Sequence, residues 1–268
     1  MNFQSRYVIL IANPSLKIKG KKHNEKSEVE SKNATSFFKF RGNMTRIIYK
    51  TPDFIIGYKP AGVPSQSDKS GDTDALSALS LELSRLGEHS ELYLVHRLDR
   101  VVGGLLAFAR NKKSAAILSS LVQDGELCKE YFAVVDGEAQ GGELTDYLLK
   151  DSVLGKALVV DSKRKGAKRA SLEYKAIDTA EYNGKTLSLV KIKLHTGRFH
   201  QIRAQFSSRG MPLFADKKYG SKHRGNSPAL FAYRIAFDYS GLSSDVSLLP
   251  ELRELPWSLF NKEKYEVN

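Results

Sequence analysis

The sequence predicts an α+β fold, in which helices pack on a mixed, largely antiparallel sheet. Short apolar runs that read as strands recur along the chain from Met44 onward. The pair Asn183–Gly184 separates two such runs, and Asn-Gly is a strong signal for a two-residue hairpin turn. Between the strands, two segments carry apolar residues at helical spacing.

The first half of this region alternates strands and helices. "RIIYK" and "FIIGYK" are predicted strands joined by a turn at Thr51–Asp53, and "KPAGVPS" is a Pro/Gly loop. "DTDALSALSLELSRLG" begins with acidic residues before its apolar positions, which predicts a helix. "GGLLAFAR" is a predicted buried strand, and "CKEYFAVVDG" is another. Between these two strands, "NKKSAAILSSLVQDG" is an amphipathic helix that we expect to end at Gly125.

The second half is richer in hairpins. We interpret "GKALVVDS" and "RASLEYKAIDTAEYNGKTLSLVKIKLHTG" as hairpin strands, and "LFAYRIAFDY" as a late strand. "RFHQIRAQFSSRG" is a predicted short helix with Thr196 as its N-cap. Residues 1–43 are basic, and beyond "RYVILIANP" they are polar without periodicity, which predicts a disordered N-terminal extension. We expect residues 44–268 to form one domain.

Composition restricts the class of protein. A single cysteine, Cys128, excludes a disulfide framework and any Cys-rich metal site. One cysteine fits a reducing compartment, and we expect a cytoplasmic protein. No apolar run approaches the roughly 18 residues that a membrane helix needs, so no membrane partner is expected.

The positive charge is concentrated. The net charge is +12, and residues 150–224 alone hold eighteen Lys or Arg against six Asp or Glu. Such a concentration of positive charge favours binding to a polyanion, and nucleic acid is the simplest candidate. A lysine-rich surface that only keeps the protein soluble is the alternative.

Several common chemistries lack their residues. The chain has no GxxxxGK[ST] nucleotide loop and no GxSxG nucleophile motif. One cysteine cannot supply the PCxxC half of a zinc deaminase site, and no set of residues has metal-ligand spacing. The sequence therefore offers no residues for these metal and nucleotide sites.

Asp99, in "LVHRLDR", is the first candidate for chemistry, because Arg97 and Arg100 flank it. Nearby guanidinium groups favour the ionised carboxylate and lower its pKa by about 1–3 units. An ionised carboxylate can attack an anomeric carbon, as in retaining glycosidases. A turn aspartate in surface ion pairs is the alternative.

Two further stretches carry candidates. "LHTGRFHQIRAQFSSRG" places Arg198, His200 and Arg203 at the predicted start of a helix, and His200 and Arg203 share a face. A helix N-terminus with cations nearby can bind a phosphate or a carboxylate. An ordinary amphipathic helix with solvated cations is the alternative. In "CKEYFAVVDGE", Tyr131 lies on a predicted strand. A tyrosine on a buried strand is more often a core residue than a functional-site residue.

Taken together, these stretches resemble the RluA-type family of RNA pseudouridine synthases. "HRLDR…GGLLAFARN" resembles the family's HRLDxxTSGLLLxAKN segment, and "CKEYFAVVDGE" resembles KxYxAxVxG. "LHTGRFHQIRAQFSSRGMPLFADKKYG" is similar to TGRxHQIRxHxxxxGxPIxGDxxYG, and "LFAYRIAFDY" more loosely matches LHAxxLxF. The three strong matches occur in the family's order, and the resemblance extends from Thr45 to Tyr239.

The resemblance implies a function and roles for residues. It implies a catalytic domain over 44–268 that isomerises uridine in tRNA or rRNA to pseudouridine, needs no cofactor, and acts as a monomer by default. Asp99 would be the catalytic aspartate, Tyr131 the tyrosine that stacks on the target base, and Arg203 the arginine that pairs with Asp99, with Arg198 as second choice. We assign substrate binding to residues in the same segments: Arg97, Arg100, Arg198, His200 and Gln201.

The chain departs from the family pattern at several positions. Val102 and Gly103 replace a Thr-Ser pair after the HRLD motif. Gln205 replaces a histidine, Ala215 a glycine, and Phe231 another histidine. These changes favour a divergent branch and keep two alternatives open: a catalytically silent RNA-binding protein of the same fold, and a nucleoside glycosylase. The glycosylase lacks an evident second carboxylate to activate water.

Overall fold

The computed structural model describes residues 6–11, 36–39, 44–239 and 241–266, with side chains described from Met44 onward. Most of the extension over 1–43, for which the sequence predicts disorder, lies outside the described residues. The two ranges described within it are short strands at one edge of the sheet.

The strands of the described residues join into one sheet of thirteen strands. They are β1 (Arg6–Ile11), β2 (Ser36–Lys39), β3 (Arg46–Lys50), β4 (Phe54–Lys59), β5 (Tyr93–Leu94), β6 (Gly103–Ala109), β7 (Cys128–Asp136), β8 (Gly142–Asp151), β9 (Lys156–Val160), β10 (Lys168–Tyr182), β11 (Lys185–Leu194), β12 (Leu230–Tyr239) and β13 (Leu242–Leu248). The predicted strand segments are confirmed, including the hairpin of β10 and β11 around Asn183–Gly184.

The sheet is mixed and largely antiparallel, as predicted. Its main path runs β2-β1-β13-β12-β7-β11-β10-β8-β9, and β6 joins this path at β12. The β6–β12 pair is parallel, whereas the other pairs among the described strands are antiparallel. Gly104 allows this junction, because its φ is +129° and a Cβ there would lie 2.3 Å from the carbonyl oxygen of Ala232.

Three α-helices accompany the sheet in the described part of the chain: α1 (Ala75–Arg85), α2 (Lys112–Asp124) and α3 (Gln201–Ser207). The Asp74 side chain caps α1 by accepting a hydrogen bond from the backbone N–H of Ser77 at 3.0 Å. Gly125 ends α2 in the left-handed conformation, as predicted. Two predicted helices are thus confirmed with their ends.

The predicted N-cap of α3 is wrong. The helix begins after His200, which has a left-handed φ of 51°, and Thr196 lies upstream of it. The Thr196 hydroxyl instead donates to Oε1 of Gln201 at 2.7 Å and accepts from the N–H of Ser171 at 2.9 Å. Thr196 therefore anchors the loop before the helix to β10.

The core occupies both faces of the sheet. On β7, Phe132 and Val134 pack into one apolar cluster, whereas Tyr131 and Ala133 belong to the other, because successive strand residues face opposite sides. The second cluster includes Ile202 of α3, so this face carries the helix that follows the TGRFH segment. None of the helices in 44–239 and 241–266 is both long and apolar enough to cross a bilayer.

Candidate active site

Asp99 lies in a cleft of about 680 Å³ on the α3 side of the sheet. Three loop segments form most of its wall, and they are 64–68, 94–100 and 197–203. Side chains of β7, among them Tyr131, complete the wall. A cleft of this volume is in the usual range for a small-molecule or nucleotide site.

The Asp99 loop is held in place by the neighbouring Pro/Gly loop. The hydroxyl of Ser65 donates to the carbonyl of Leu98 at 2.9 Å and accepts from its N–H at 3.1 Å. The N–H of Gly62 donates to the carbonyl of Arg100 at 2.7 Å. Because both residues that flank Asp99 are bonded through their backbones, the carboxylate has a fixed position.

Lys59 is fully buried beneath this junction. Its ammonium donates to the carbonyls of Val63 at 2.7 Å, Pro60 at 3.1 Å and Arg100 at 3.2 Å. Burial lowers the pKa of Lys59 to about 7, and the opposing charge of Asp99 favours the ammonium form. Lys59 therefore ties the two loops together, and its ammonium form adds positive charge behind Asp99.

Arg203 is the arginine that pairs with Asp99. Its Nη1 lies 3.2 Å from Oδ2 of Asp99, while Nε and Nη2 donate to the two carboxylate oxygens of Asp216 at 2.7 and 2.9 Å. The side chains of Arg203 and Asp216 are 4% and 1% exposed, and that of Asp99 is 21% exposed. Of the two carboxylates, only Asp99 is therefore open to the cleft.

The net pKa of Asp99 is raised, which corrects the prediction that flanking arginines lower it. Burial is the largest cause and outweighs the opposing charges of Arg203 and Lys59. The charge of Asp216 raises the pKa further. The prediction erred because it weighed only charge and left out the cost of moving a carboxylate out of water.

The arginines adjacent to Asp99 in sequence lie elsewhere in the cleft wall. Arg100 forms ion pairs with Asp68 and Asp72, and its Nε donates to the carbonyl of Gly62 at 2.9 Å. Arg97 is exposed at the cleft surface. The guanidinium next to Asp99 comes from α3, 104 residues away along the chain.

His200 approaches Asp99 but is neutral. Its Nε2 lies 3.6 Å from Oδ2 of Asp99, and its Nδ1 lies 3.0 Å from the hydroxyl of Tyr219. Burial, together with the charges of Arg203 and Lys218, lowers the pKa of His200 to about 3. The contact with Asp99 is therefore polar rather than an ion pair near neutral pH.

Tyr131 lines the cleft from β7 and is 5% exposed. Burial, followed by the charge of Asp99, raises the pKa of its phenol, which therefore stays protonated near neutral pH. Because Tyr131 and Asp99 line the same cleft, the two groups belong to one site.

Arg198 and Gln201 shape the loop that precedes α3. Nε of Arg198 donates to the carbonyl of Arg169 at 2.9 Å, so Arg198 contacts the start of β10 instead of Asp99. The Gln201 amide accepts from Thr196 and from the N–H of Arg198, and it donates to the carbonyl of Ser171 at 3.1 Å. Both residues line the cleft.

Sequence reasoning missed Lys59, Asp216 and Tyr219. Asp216 is in the stretch "FADKKYG", where its spacing from Arg203 gives no sign of contact; a lone acid beside two lysines reads as a surface residue. Lys59 precedes a proline in a predicted loop, where burial is not expected. No group of His, Cys, Asp and Glu among the described residues could hold a metal ion.

Comparisons with known proteins identify the family of this chain. A family model described as RNA pseudouridylate synthase matches residues 53–208. A tRNA pseudouridine synthase C of Haemophilus ducreyi is 32% identical over 66% of this chain and 75% of that protein. A ribosomal large subunit pseudouridine synthase D of Zymomonas mobilis is 30% identical, over 67% of this chain and 57% of that protein.

Solved structures agree on the fold. Human RNA pseudouridylate synthase domain containing 1 superposes with a TM-score of 0.67 over 81% of this chain and 88% of that chain, at 21% identity. Human RNA pseudouridylate synthase domain containing 4 gives a TM-score of 0.61 at 19% identity, over 74% of this chain and 87% of that chain.

Proposed function

Because the chain belongs to the RNA pseudouridylate synthase family, we propose that it converts specific uridines of tRNA or rRNA to pseudouridine with Asp99 as the nucleophile. The observation that carries the proposal is the Asp99 carboxylate, open to the cleft and paired with the buried Arg203 at 3.2 Å. Arg203 favours the ionised form of this carboxylate against the effect of burial and fixes its direction, as a nucleophile requires.

The proposed reaction balances within the nucleotide. An oxygen of Asp99 attacks C1′ of the ribose, the N1–C1′ bond breaks, and the bonding pair leaves with the uracil. The base turns, its C5 forms a bond with C1′, Asp99 is released, and the proton on C5 is lost while N1 regains one. Nothing is oxidised or reduced, so the reaction needs no cofactor.

To reach C1′ the enzyme must flip the uridine out of its stack, at a cost of a few kcal/mol. Phosphate contacts offset such a cost. The segment 163–169, which covers the end of the β9–β10 connection and the first two residues of β10, is suited to make them. It carries five exposed cations: Lys163, Arg164, Lys165, Lys168 and Arg169. Arg198 of the cleft wall bonds to this segment, so RNA held there would lie near the cleft that contains Asp99.

Relatives named for tRNA and for the large ribosomal subunit support both RNA classes as candidate substrates. The test is carbodiimide mapping of pseudouridine on unmodified tRNA and rRNA transcripts after incubation with the protein. We expect a new reverse-transcription stop that depends on Asp99 and is absent with Asp99→Asn. Tight binding of transcripts without any stop would instead support the catalytically silent RNA-binding protein.

A further inference from the structure

Two buried lysines near the cleft differ in their partners. Lys59 donates to three backbone carbonyls. Lys129 is 7% exposed, yet its ammonium has no hydrogen bond or ion pair with any residue in 44–239 or 241–266. Burial lowers the pKa of Lys129, so the protein holds a partly desolvated ammonium at the cleft without a compensating partner among the described residues.

Lys129 faces the cleft. It precedes Tyr131 by two residues on β7, so both side chains point to the same side of the sheet, and both line the cleft. Its Nζ lies beside Gly197, where a Cβ would be 3.9 Å away. The ammonium therefore lies next to the loop that precedes α3.

The neighbours of Lys129 supply no negative charge. The pKa of His96 is lowered to about 3, mainly by burial and further by the charge of Lys129. The His96 imidazole is therefore neutral near neutral pH. Burial raises the pKa of the Cys128 thiol to about 11, so this group is protonated near neutral pH. The described neighbours therefore do not compensate the charge of Lys129, which leaves a ligand in the cleft as a source of counter-charge.

We propose that Lys129 binds a phosphodiester of the RNA backbone next to the flipped uridine. This inference rests on the proposed function. A phosphodiester oxygen carries the full negative charge that a buried ammonium lacks, whereas a uracil carbonyl offers only a neutral acceptor. Phosphate contacts of this kind position the nucleic acid without reading its sequence.

The variant Lys129→Met tests the assignment without loss of the fold. Methionine has a similar length and carries no charge, so removing the unpaired ammonium should leave the melting temperature unchanged or raise it. Lys185→Met is the matched control. Lys185 is exposed at the far end of β11, about 30 Å along the strand from the cleft residue Leu194.

The measurement is the affinity of each protein for the mapped tRNA or rRNA transcript at a series of salt concentrations. For Lys129→Met we expect binding about tenfold weaker and a slope of log K against log salt that is shallower by about 1. Lys185→Met should match the wild type in both. An unchanged slope with weaker binding would assign Lys129 to a neutral base atom and overturn the proposal.

The failures of the two proposals are distinguishable. If the wild type forms pseudouridine but Lys129→Met keeps its affinity and salt slope, the inference about Lys129 fails alone. A lower melting temperature for Lys129→Met would also contradict it, because it would show a structural role. If the wild type binds neither class of transcript, the proposed function fails, and the inference falls with it.

Discussion

Arg203 donates two hydrogen bonds to the buried carboxylate of Asp216 and one to Asp99. A bidentate pair fixes the plane of a guanidinium, so Asp216 determines how Arg203 meets Asp99. The single 3.2 Å contact then leaves one face of the Asp99 carboxylate open to the cleft. Asp216 is therefore a positioning residue for the proposed nucleophile.

Asp216→Asn should reduce turnover more than RNA binding. Without its bidentate partner, Arg203 can turn toward Asp99, and a misplacement of about 1 Å can cost about 100-fold in rate. Because the charge of Asp216 raises the pKa of Asp99, the acid limb of kcat/KM should also move to lower pH. Single-turnover rates and transcript affinity measure the two effects.

Asp245→Asn is the control for that variant. Asp245 makes the same kind of pair, since Nε and Nη2 of Arg234 donate to its carboxylate at 2.8 Å each. It lies on β13, outside the cleft wall. Loss of this pair should lower stability with little change in the rate, and an equal rate loss in both variants would remove the special role of Asp216.

The pH dependence of activity should report Asp99. The proposed nucleophile is active when ionised, and burial raises its pKa. Activity should therefore fall as pH falls through an apparent pKa above the value of about 3.9 for free aspartate. The profile of kcat/KM measures this group in the free enzyme. An acid limb at or below the free value would contradict the burial that the structure gives Asp99.

The raised pKa of Asp99 also affects the stability of the fold, because the ionised carboxylate is less favourable in the folded state. A carboxyl whose folded pKa is raised destabilises the fold once pH rises above its unfolded pKa, near 3.9. Asp99→Asn should therefore be at least as stable as the wild type at pH 7, and this difference should disappear near pH 4. Urea unfolding at the two pH values measures it.

Ala215→Gly should stabilise the protein. Ala215 has a φ of 61°, a left-handed conformation that costs a residue with a Cβ about 1–2 kcal/mol. The greater freedom of glycine in the unfolded chain offsets about 0.4–1 kcal/mol, so a net gain on the order of 1 kcal/mol is expected. A melting curve measures it, and a loss of stability would show that the Cβ makes useful contacts.

The sequence predicts the first two helices and most of the strands from Met44 onward, because their signals are local, but it misses β8 and β13. Asp74 and Gly125 act as caps within a few residues of the helices that they bound. The predicted start of α3 is misplaced because Thr196, a good N-cap by type, bonds instead to Gln201 and to β10. Tertiary contacts override local preference there.

The candidate site could be predicted in part. The family resemblance pairs Arg203 with Asp99, and the two lie in contact across 104 positions, which no local pattern indicates. The direction of the shift in the pKa of Asp99 could not be predicted from the sequence, because it depends on burial in the folded state. The roles of Lys59 and Asp216 depend likewise on which groups the fold brings together.

Two of the departures from the family pattern, Val102 and Gly103, have local explanations. Val102 is buried in the apolar cluster that includes Leu98, where a hydroxyl would need a partner. At Gly103 a Cβ would lie 3.3 Å from the backbone nitrogen of Ala61, so the Pro/Gly loop closes tightly on β6. Neither change reaches the Arg203–Asp99 contact.

The central claim is that Asp99 drives a uridine isomerisation, and release of tritium from RNA labelled at C5 of uridine tests it most directly. The wild type should release tritium, because C5 loses its hydrogen when it bonds to C1′, and no free uracil should appear. Asp99→Asn should bind the same RNA within a few-fold and release none. Release by Asp99→Asn at the wild-type rate, or free uracil in place of tritium, would contradict the claim.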